Sequence, residues 1–393
     1  MQTFYIIGIS DDRNQFLSPE IRNLVSQGKV FSGGKRHHEL IHAYLPEDAV
    51  WIDITVPLDA VFCRYEEHPE IIVFASGDPL FFGFANTVMR KLPSAKIILF
   101  PTFNSLQMLA HRILLPYQEM QTLSLTGRPW DAFDSALIRG DKLIGVLTDR
   151  EKTPATIAAR MLEYGYDNYR MIVGEALGNG EEESVRTFSL EEASQSAFRF
   201  PNCLILQRNK VHPRPFGIPE SEFHLLNGRN RMITKMPVRL LTLSMLTLRE
   251  KKSFWDIGFC TGSVSIEAKL QFPELKVTAF EQRTEGKELM ERNSRKFGTP
   301  GITTVMGDFL ETELGGLPAP DAVFIGGHGG KMIEILQKIK EVLLPDGVIV
   351  FNSVSEESKA LFTKGITQIN KKVTQCTHIA VDAFNPIEIM RAE

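Results

Sequence analysis

Two glycine loops of different composition stand about half a chain apart, and each follows a short apolar run. The first is Ala75-Ser76-Gly77-Asp78-Pro79-Leu80-Phe81-Phe82-Gly83. The second is Trp255-Asp256-Ile257-Gly258-Phe259-Cys260-Thr261-Gly262-Ser263. A buried strand that runs into a glycine turn suits ligand binding, because glycine lets the backbone approach a ligand closely. It also leaves amide groups available for polar contacts. The two loops share no pattern, so the chain is not a duplicated domain. Two unrelated nucleotide-type pockets in one polypeptide are expected.

The length agrees, since 393 residues exceed what one ordinary core accommodates and two domains are the default. A formal net charge of −4 argues against an electrostatic nucleic-acid binder. Cys63, Cys203, Cys260 and Cys376 lie far apart, so neither a zinc site nor a disulfide framework is indicated. Reduced thiols point to a cytoplasmic protein. The run from Met1 to Ser10 reads as a strand without a basic leader. No apolar stretch approaches the roughly 20 residues that span a bilayer, so no membrane partner is expected.

Short apolar runs alternate with helix-like stretches, the pattern of an α/β fold. Phe4–Ile9, Ile71–Ala75, Lys96–Phe100, Leu143–Leu147, Tyr169–Val173 and Asn202–Leu206 read as strands of the first half. Pro154 after Thr153 opens a helix to Tyr164, and Glu175 to Glu183 reads as an acidic, glycine-rich loop. The segment Gln207–Pro219 holds Pro213, Pro215 and Pro219 with little apolar periodicity and is the linker. It places one domain at 1–211 and a second at 212–393. In the second, Ser253–Ile257, Lys276–Phe280, Ile302–Met306, Ala322–Ile325 and Gly347–Phe351 read as strands. Lys372–Ala380 and Ile387–Arg391 pair as a terminal hairpin around Asn385-Pro386. Strand–helix alternation with short loops implies a doubly wound parallel sheet.

The second loop carries the clearer chemistry. Gly258 and Gly262 are placed at a strand-to-helix turn, and Glu281 ends the next strand, 19 residues beyond Gly262. A carboxylate there accepts both ribose hydroxyls of a nucleoside. Asp308 ends the third strand and is placed near an adenine. The plain structural reading is turn glycines with solvated acids. A dinucleotide would need Gly-x-Gly-x-x-Gly, but Cys260 stands where the second glycine belongs and crowds the pyrophosphate position. Asp256, ahead of the loop, suits the ammonium of a methionine moiety better than a diphosphate.

Asp256-Ile-Gly-Phe-Cys-Thr-Gly-Ser resembles motif I of class I methyltransferases, whose usual form is Asp-x-Gly-x-Gly-x-Gly; Cys260 departs from it. Ser76-Gly77-Asp78-Pro79 alone could be a tight turn capped by Asp78. Ala75–Gly83 also resembles the Gly-Asp-Pro loop of class III tetrapyrrole methylases, and Phe103-Asn104-Ser105-Leu106-Gln107 resembles their following cofactor loop. Ser32-Gly33-Gly34-Lys35-Arg36, Val146-Leu147-Thr148-Asp149-Arg150-Glu151-Lys152-Thr153-Pro154 and Gly174-Glu175-x-Leu177-Gly178 resemble segments of the corrinoid carbon-5 methylases. Gly8-Ile9-Ser10-Asp11-Asp12 replaces their usual Gly-x-Gly-Pro-Gly turn. Gly217-Ile218-Pro219-Glu220-x-x-Phe223 and Met232-Ile233-Thr234-Lys235 resemble the opening segment of the decarboxylating carbon-15 methylase. Nearly the whole chain is covered.

The resemblance implies an N-terminal tetrapyrrole methylase fold (class III) followed by a class I Rossmann-like methyltransferase domain. It implies two S-adenosylmethionine sites and a tetrapyrrole substrate of cobalamin (corrin) biosynthesis. Methylation at carbons 5 and 15 and loss of carbon dioxide from the carbon-12 acetate would follow. Donor contacts are expected from Gly8, Ser76, Gly77, Asp78, Phe81, Asn104 and Ser105 in the first half. In the second they are expected from Thr234, Asp256, Gly258, Gly262, Ser263, Glu281 and Asp308. Lys35, Arg36, Arg128, Arg150 and Lys235 are expected to pair with the many carboxylates of the substrate. Solvated cations are the plain alternative for the group Lys35, Arg36, His37 and His38. No catalytic acid or metal is named by the sequence, and a homo-oligomer is the family expectation. Two other readings compete. One is a tetrapyrrole-binding or regulatory protein with degenerate pockets, suggested by Ser10–Asp12 and Cys260. The other is an RNA methyltransferase, against which the net charge counts.

Overall fold

A computed structural model describes residues 2–212, 214, 216–226, 232–382 and 385–393. Pro213 and Pro215 of the expected linker lie outside the described residues. The chain divides into two compact units. The first comprises Met1–Arg128, Lys142–Ala159 and Tyr169–Asn209. The second comprises Pro129–Asp141, Arg160–Asn168 and Lys210–Glu393. Two segments from the first half of the sequence therefore cluster with the second unit.

The first unit holds strands β1 (Thr3–Ile9), β2 (Val30–Gly33), β3 (Val50–Asp53), β4 (Glu70–Ser76) and β5 (Lys96–Phe100). They form a sheet in the order β3-β2-β4-β1-β5, with every pairing parallel. Parallel strands are covered on both faces, so they read as continuous apolar runs. Accordingly, all five central residues of β4 are buried. A second sheet is built from β6 (Gln121–Ser124), β7 (Leu143–Leu147), β8 (Tyr169–Glu175), β9 (Ser184–Phe188) and β10 (Asn202–Arg208). Its order is β6-β7-β10-β8-β9, with β6 and β7 parallel and the rest antiparallel. The helices are α1 (Pro19–Gln27), α2 (Lys35–Ile41), α3 (Asp59–Glu66), α4 (Phe84–Lys91) and α5 (Ser105–Arg112). Next come α6 (Asp131–Arg139), α7 (Pro154–Glu163) and α8 (Leu190–Ser194). The helix α6 and the end of α7 fall in the second unit. The Lys35–His38 group is the start of a helix rather than a loop.

The second unit has one seven-stranded sheet, β13-β12-β11-β14-β15-β17-β16. Its members are β11 (Ser253–Ile257), β12 (Lys276–Glu281), β13 (Ile302–Met306), β14 (Ala322–Ile325), β15 (Val348–Ser353), β16 (Val373–Ile379) and β17 (Ile387–Ala392). The first five run parallel, and β17 pairs antiparallel with both β15 and β16. The expected terminal hairpin is that pair. Its helices are α9 (Met236–Met245), α10 (Ser263–Gln271), α11 (Glu285–Phe297), α12 (Met332–Lys340) and α13 (Glu356–Gln368). Alternate residues of the strands feed two cores. Trp255, Ile257, Val323, Ile325 and Ile349 pack in one cluster. Phe254, Ala322, Phe324, Val348 and Val350 pack in the other. From β11 the chain builds outward first through β12 and β13, then through β14 and β15. The carboxyl ends of β11 and β14 are therefore a topological switch point, where open α/β sheets place their ligands.

Candidate functional site

At that switch point lies a cavity of about 760 Å³, within the size range of small-molecule sites. Thr234, Lys235, Asp256, Gly258, Ser263, Glu281 and Asp308 all line it. The glycine turn is required by its backbone. Gly258 has a φ of +80°, and a Cβ there would lie 2.9 Å from the Gly327 nitrogen. Gly262 also has a positive φ, +78°, but it faces Met290, not the cavity, and caps α10. Its part is to make the turn. Cys260 keeps the left-handed conformation of the glycine it replaces, with a φ of +52°. Its amide donates to Glu281 Oε2 at 2.9 Å.

Glu281 is the last residue of β12 and is almost wholly buried. Its Oε1 accepts from the Arg283 amide at 2.9 Å, and the Arg283 guanidinium donates to Oε2 at 3.3 Å. An ionised carboxylate offers about four acceptor positions, so beside these three donors one remains for a ligand hydroxyl. Asp308 caps its own turn through the Leu310 amide at 2.9 Å and pairs with Lys331 at 2.9 Å. That pairing with Lys331 holds its carboxyl below the usual range.

Asp256 is fully buried at the base of the loop. Ser265 Oγ donates to its Oδ2 at 2.6 Å, while Oδ1 has no hydrogen-bond partner among the described residues. Burial pushes its carboxyl up to about 7, against the opposing pull of the Ser265 hydrogen bonds. Thr261 Oγ1, also lining the cavity, is likewise buried and unpartnered among the described residues. Orphaned buried polar atoms are rare in folded proteins, and a ligand in the cavity would complete these two. An unmatched carboxylate oxygen, an unmatched hydroxyl and the Glu281 carboxylate fit the ammonium and a ribose hydroxyl of S-adenosylmethionine. They do not fit a diphosphate, which would face two carboxylates.

The sequence did not single out the far wall of this cavity. Gly326, Gly327 and His328 follow β14, and Asn352 and Val354 end β15 and its loop. Such a glycine run reads locally as a turn. Its signal is positional, since it follows the strand beside β11.

In the first unit three loop starts converge at the carboxyl ends of β1, β4 and β5. A Cβ on Gly8 would overlap the Gly77 carbonyl oxygen, and one on Gly77 would lie 2.9 Å from Asn104 Cα. Gly77 has a φ of +63° and donates to the Ile9 carbonyl at 2.9 Å. Ser76 Oγ is 2.8 Å from His37 Nε2. Burial pushes that imidazole down to about 4, so it is neutral at ordinary pH. His37 is thus a structural partner of the loop, not a carboxylate-binding cation. Asp78 Oδ1 accepts from the Leu80 amide at 2.8 Å and so caps its own turn. Phe81 packs on the apolar cluster of Leu106 and Leu109. Asn104 caps α5 through the Gln107 amide at 2.9 Å, and Ser105 hydrogen-bonds the buried Cys203 thiol.

The expected substrate cations are dispersed in the first unit. Lys35 and Arg36 open α2, and Arg36 pairs with Asp11. The guanidinium of Arg128 lies 4.9 Å from the Phe82 ring and that of Arg150 lies 5.5 Å from Phe200. Both rings are exposed. Among the described residues no cluster of three His, Cys, Asp or Glu is set to hold a metal, and no helix is long and apolar enough to cross a membrane.

A family model described as a precorrin methyltransferase domain matches residues 227–392. The chain is 33% identical over 371 residues to a precorrin-6Y C(5,15)-methyltransferase [decarboxylating] of a Sinorhizobium species, across 91% of this chain and 86% of that protein. A cobalt-precorrin-6B C(15)-methyltransferase (decarboxylating) of Salmonella typhimurium is 33% identical over 162 residues, 41% of this chain and 83% of the relative. A crystal structure described as precorrin-6y C5,15-methyltransferase from Geobacter metallireducens shares 33% identity, with a TM-score of 0.43. It covers 46% of this chain and 99% of that one.

Proposed function

The chain belongs to the precorrin-6Y C5,15-methyltransferase (decarboxylating) family, and on that premise we propose a division of labour between its two halves. Residues 1–211 form the tetrapyrrole methylase domain that methylates carbon 5. Residues 212–393 form the class I domain that methylates carbon 15 and removes carbon dioxide from the carbon-12 acetate. The observation that carries this reading is the cavity of the second unit. It presents a buried, unpartnered Asp256 oxygen and a Glu281 carboxylate at successive strand ends.

When bound, S-adenosylmethionine supplies a methyl group already activated by its sulfonium. The protein's part is therefore alignment and electrostatics rather than nucleophilic catalysis. Asp256 receives the ammonium, Glu281 a ribose hydroxyl, and Asp308 lies toward the base. Thr234 and Lys235, immediately ahead of α9, close the side of the cavity. In the first unit the Gly8, Gly77 and Asn104 backbones form the corresponding cradle. Arg36, Arg128 and Arg150 supply positive charge for the substrate carboxylates, each already placed beside an acid or an aromatic ring. Cys260 adopts the backbone conformation of the missing glycine, which removes the main motive for reading the second pocket as degenerate.

Calorimetric titration of the purified chain with S-adenosylmethionine tests the reading. Two equivalents per chain are expected for wild type and one for Glu281→Ala. Wild-type binding of one equivalent or none contradicts it.

A further inference from the structure

The cavity of the second unit must serve a leaving carboxylate as well as a methyl donor, and two of its cations are already paired with acids. Lys331 is paired with Asp308 at 2.9 Å and Arg283 lies 3.3 Å from Glu281. His328 differs. It lines the cavity from the loop after β14, half-buried, with its ring edge against Phe351 at 5.8 Å between centroids. The Gly330 amide sits 3.2 Å from Nδ1 and donates to it. The neutral ring therefore carries its proton on Nε2, and Nε2 has no partner among the described residues. Burial lowers the basicity of the ring, against the opposing pull of the Glu357 carboxylate. Gly329 and Gly330 have φ values of +53° and +84°, and the backbone of Gly327 packs against Gly258. The loop thus fixes the imidazole relative to the donor-binding turn.

We infer that His328 positions the acetate carboxylate that is lost, through a single neutral Nε2–H donor, and so sets how tightly decarboxylation is coupled to carbon-15 methylation. The inference rests on the function proposed above. The chemistry explains why a neutral donor serves here. The meso carbon forms a bond to the methyl group as the carbon–sulfur bond breaks, and sulfur keeps that pair. The ring then carries a positive charge. The bond from the acetate methylene to its carboxylate breaks, carbon dioxide leaves, and the electron pair moves into the conjugated ring and cancels the charge. An exocyclic methylene results, and a ring proton shift turns it into a methyl group without change of composition. A cation held on the carboxylate would stabilise the charged ground state and not the neutral carbon dioxide, so it would slow this step. A neutral donor orients the group at less cost.

The test uses the full chain with S-adenosylmethionine and precorrin-6Y. Three quantities are followed: carbon-15 methyl transfer, carbon dioxide release, and precorrin-6Y affinity by absorbance titration without the methyl donor. His328→Lys is expected to bind precorrin-6Y about tenfold more tightly. Its ratio of carbon dioxide to methyl transferred should fall about tenfold, with a methylated product that keeps its carboxylate and loses a ring proton instead. His328→Gln, a neutral donor, should slow both events a few-fold while keeping their ratio near that of wild type. An unchanged ratio in His328→Lys, or equal loss of both events in both variants, overturns the inference. If wild type transfers no carbon-15 methyl at all, the underlying function fails instead.

Discussion

Asp256 shows how one residue links folding and binding. Its carboxyl is raised from 3.8 to about 7 by burial. A raised acid contributes stability that is complete below its unfolded value and lost as pH rises through its folded value. The ligand-free protein should therefore lose stability between about pH 4 and pH 7, and Asp256→Asn should flatten that slope in thermal melts. The sign reverses for binding. A cationic ammonium favours the ionised carboxylate, so wild-type affinity for S-adenosylmethionine should rise as pH increases through 7. Cys260 makes a second case. A non-glycine residue at φ +52° costs of order 1 kcal/mol. Cys260→Gly should stabilise the protein by up to about 1 kcal/mol in denaturant unfolding and leave donor binding intact. The acids at strand ends were legible because strand, turn and carboxylate recur at fixed offsets. His37 and His328 were not, since a histidine's role depends on what it faces. His37 read as one of a group of cations, yet it sits 2.8 Å from Ser76.

The elements most evident from sequence were the long buried strands, such as β4, β11 and β15, whose apolar runs have no rival interpretation. The short strands β2, β3, β6 and β9 were missed, because four or five residues of mixed polarity carry little periodicity, whereas the four residues of β14 are all apolar and were read. The segments around the cavity are joined by a buried ion pair that sequence spacing does not reveal. Arg239 of α9 and Glu267 of α10 are both fully buried, with Nε and Oε2 2.7 Å apart. Glu267 also accepts from the Gly217 amide at 2.6 Å, and Arg239 donates to the Thr234 carbonyl at 2.8 Å. The pair thus ties the opening segment and the start of α9 to the helix that begins at the glycine turn. Removing one partner leaves a buried charge unmatched, so Arg239→Met should cost about 3–5 kcal/mol in chemical denaturation. Arg239→Met with Glu267→Leu should recover much of that loss. Equal stability of the single variant and wild type would refute the role assigned to the pair.

At the scale of the whole molecule, the linker segment suggests a cut near residue 212, but compact packing follows a different line. α6 and the end of α7, with the residues that follow to Asn168, belong to the second unit. Ile138 packs with Ile218, Phe223 and Ile266. Asp134, almost wholly buried, pairs with Arg160 at 2.7 Å, and Tyr166 donates to the Gly298 carbonyl at 2.7 Å. A piece beginning at residue 212 lacks all of these. It should be less stable by at least about 3 kcal/mol, roughly the effect of truncating one buried branched side chain, and show it as a lower melting temperature. The two-pocket claim itself is best tested on the intact chain. Mass spectrometry of precorrin-6Y products should show two methyl groups gained and one carbon dioxide lost for wild type. Gly8→Ala, whose Cβ would overlap the Gly77 carbonyl, should yield one methyl gained with carbon dioxide still lost. Glu281→Ala should yield one methyl gained with the carboxylate kept. Joint loss of both methylations in either variant would mean a single shared site, and the account would be wrong.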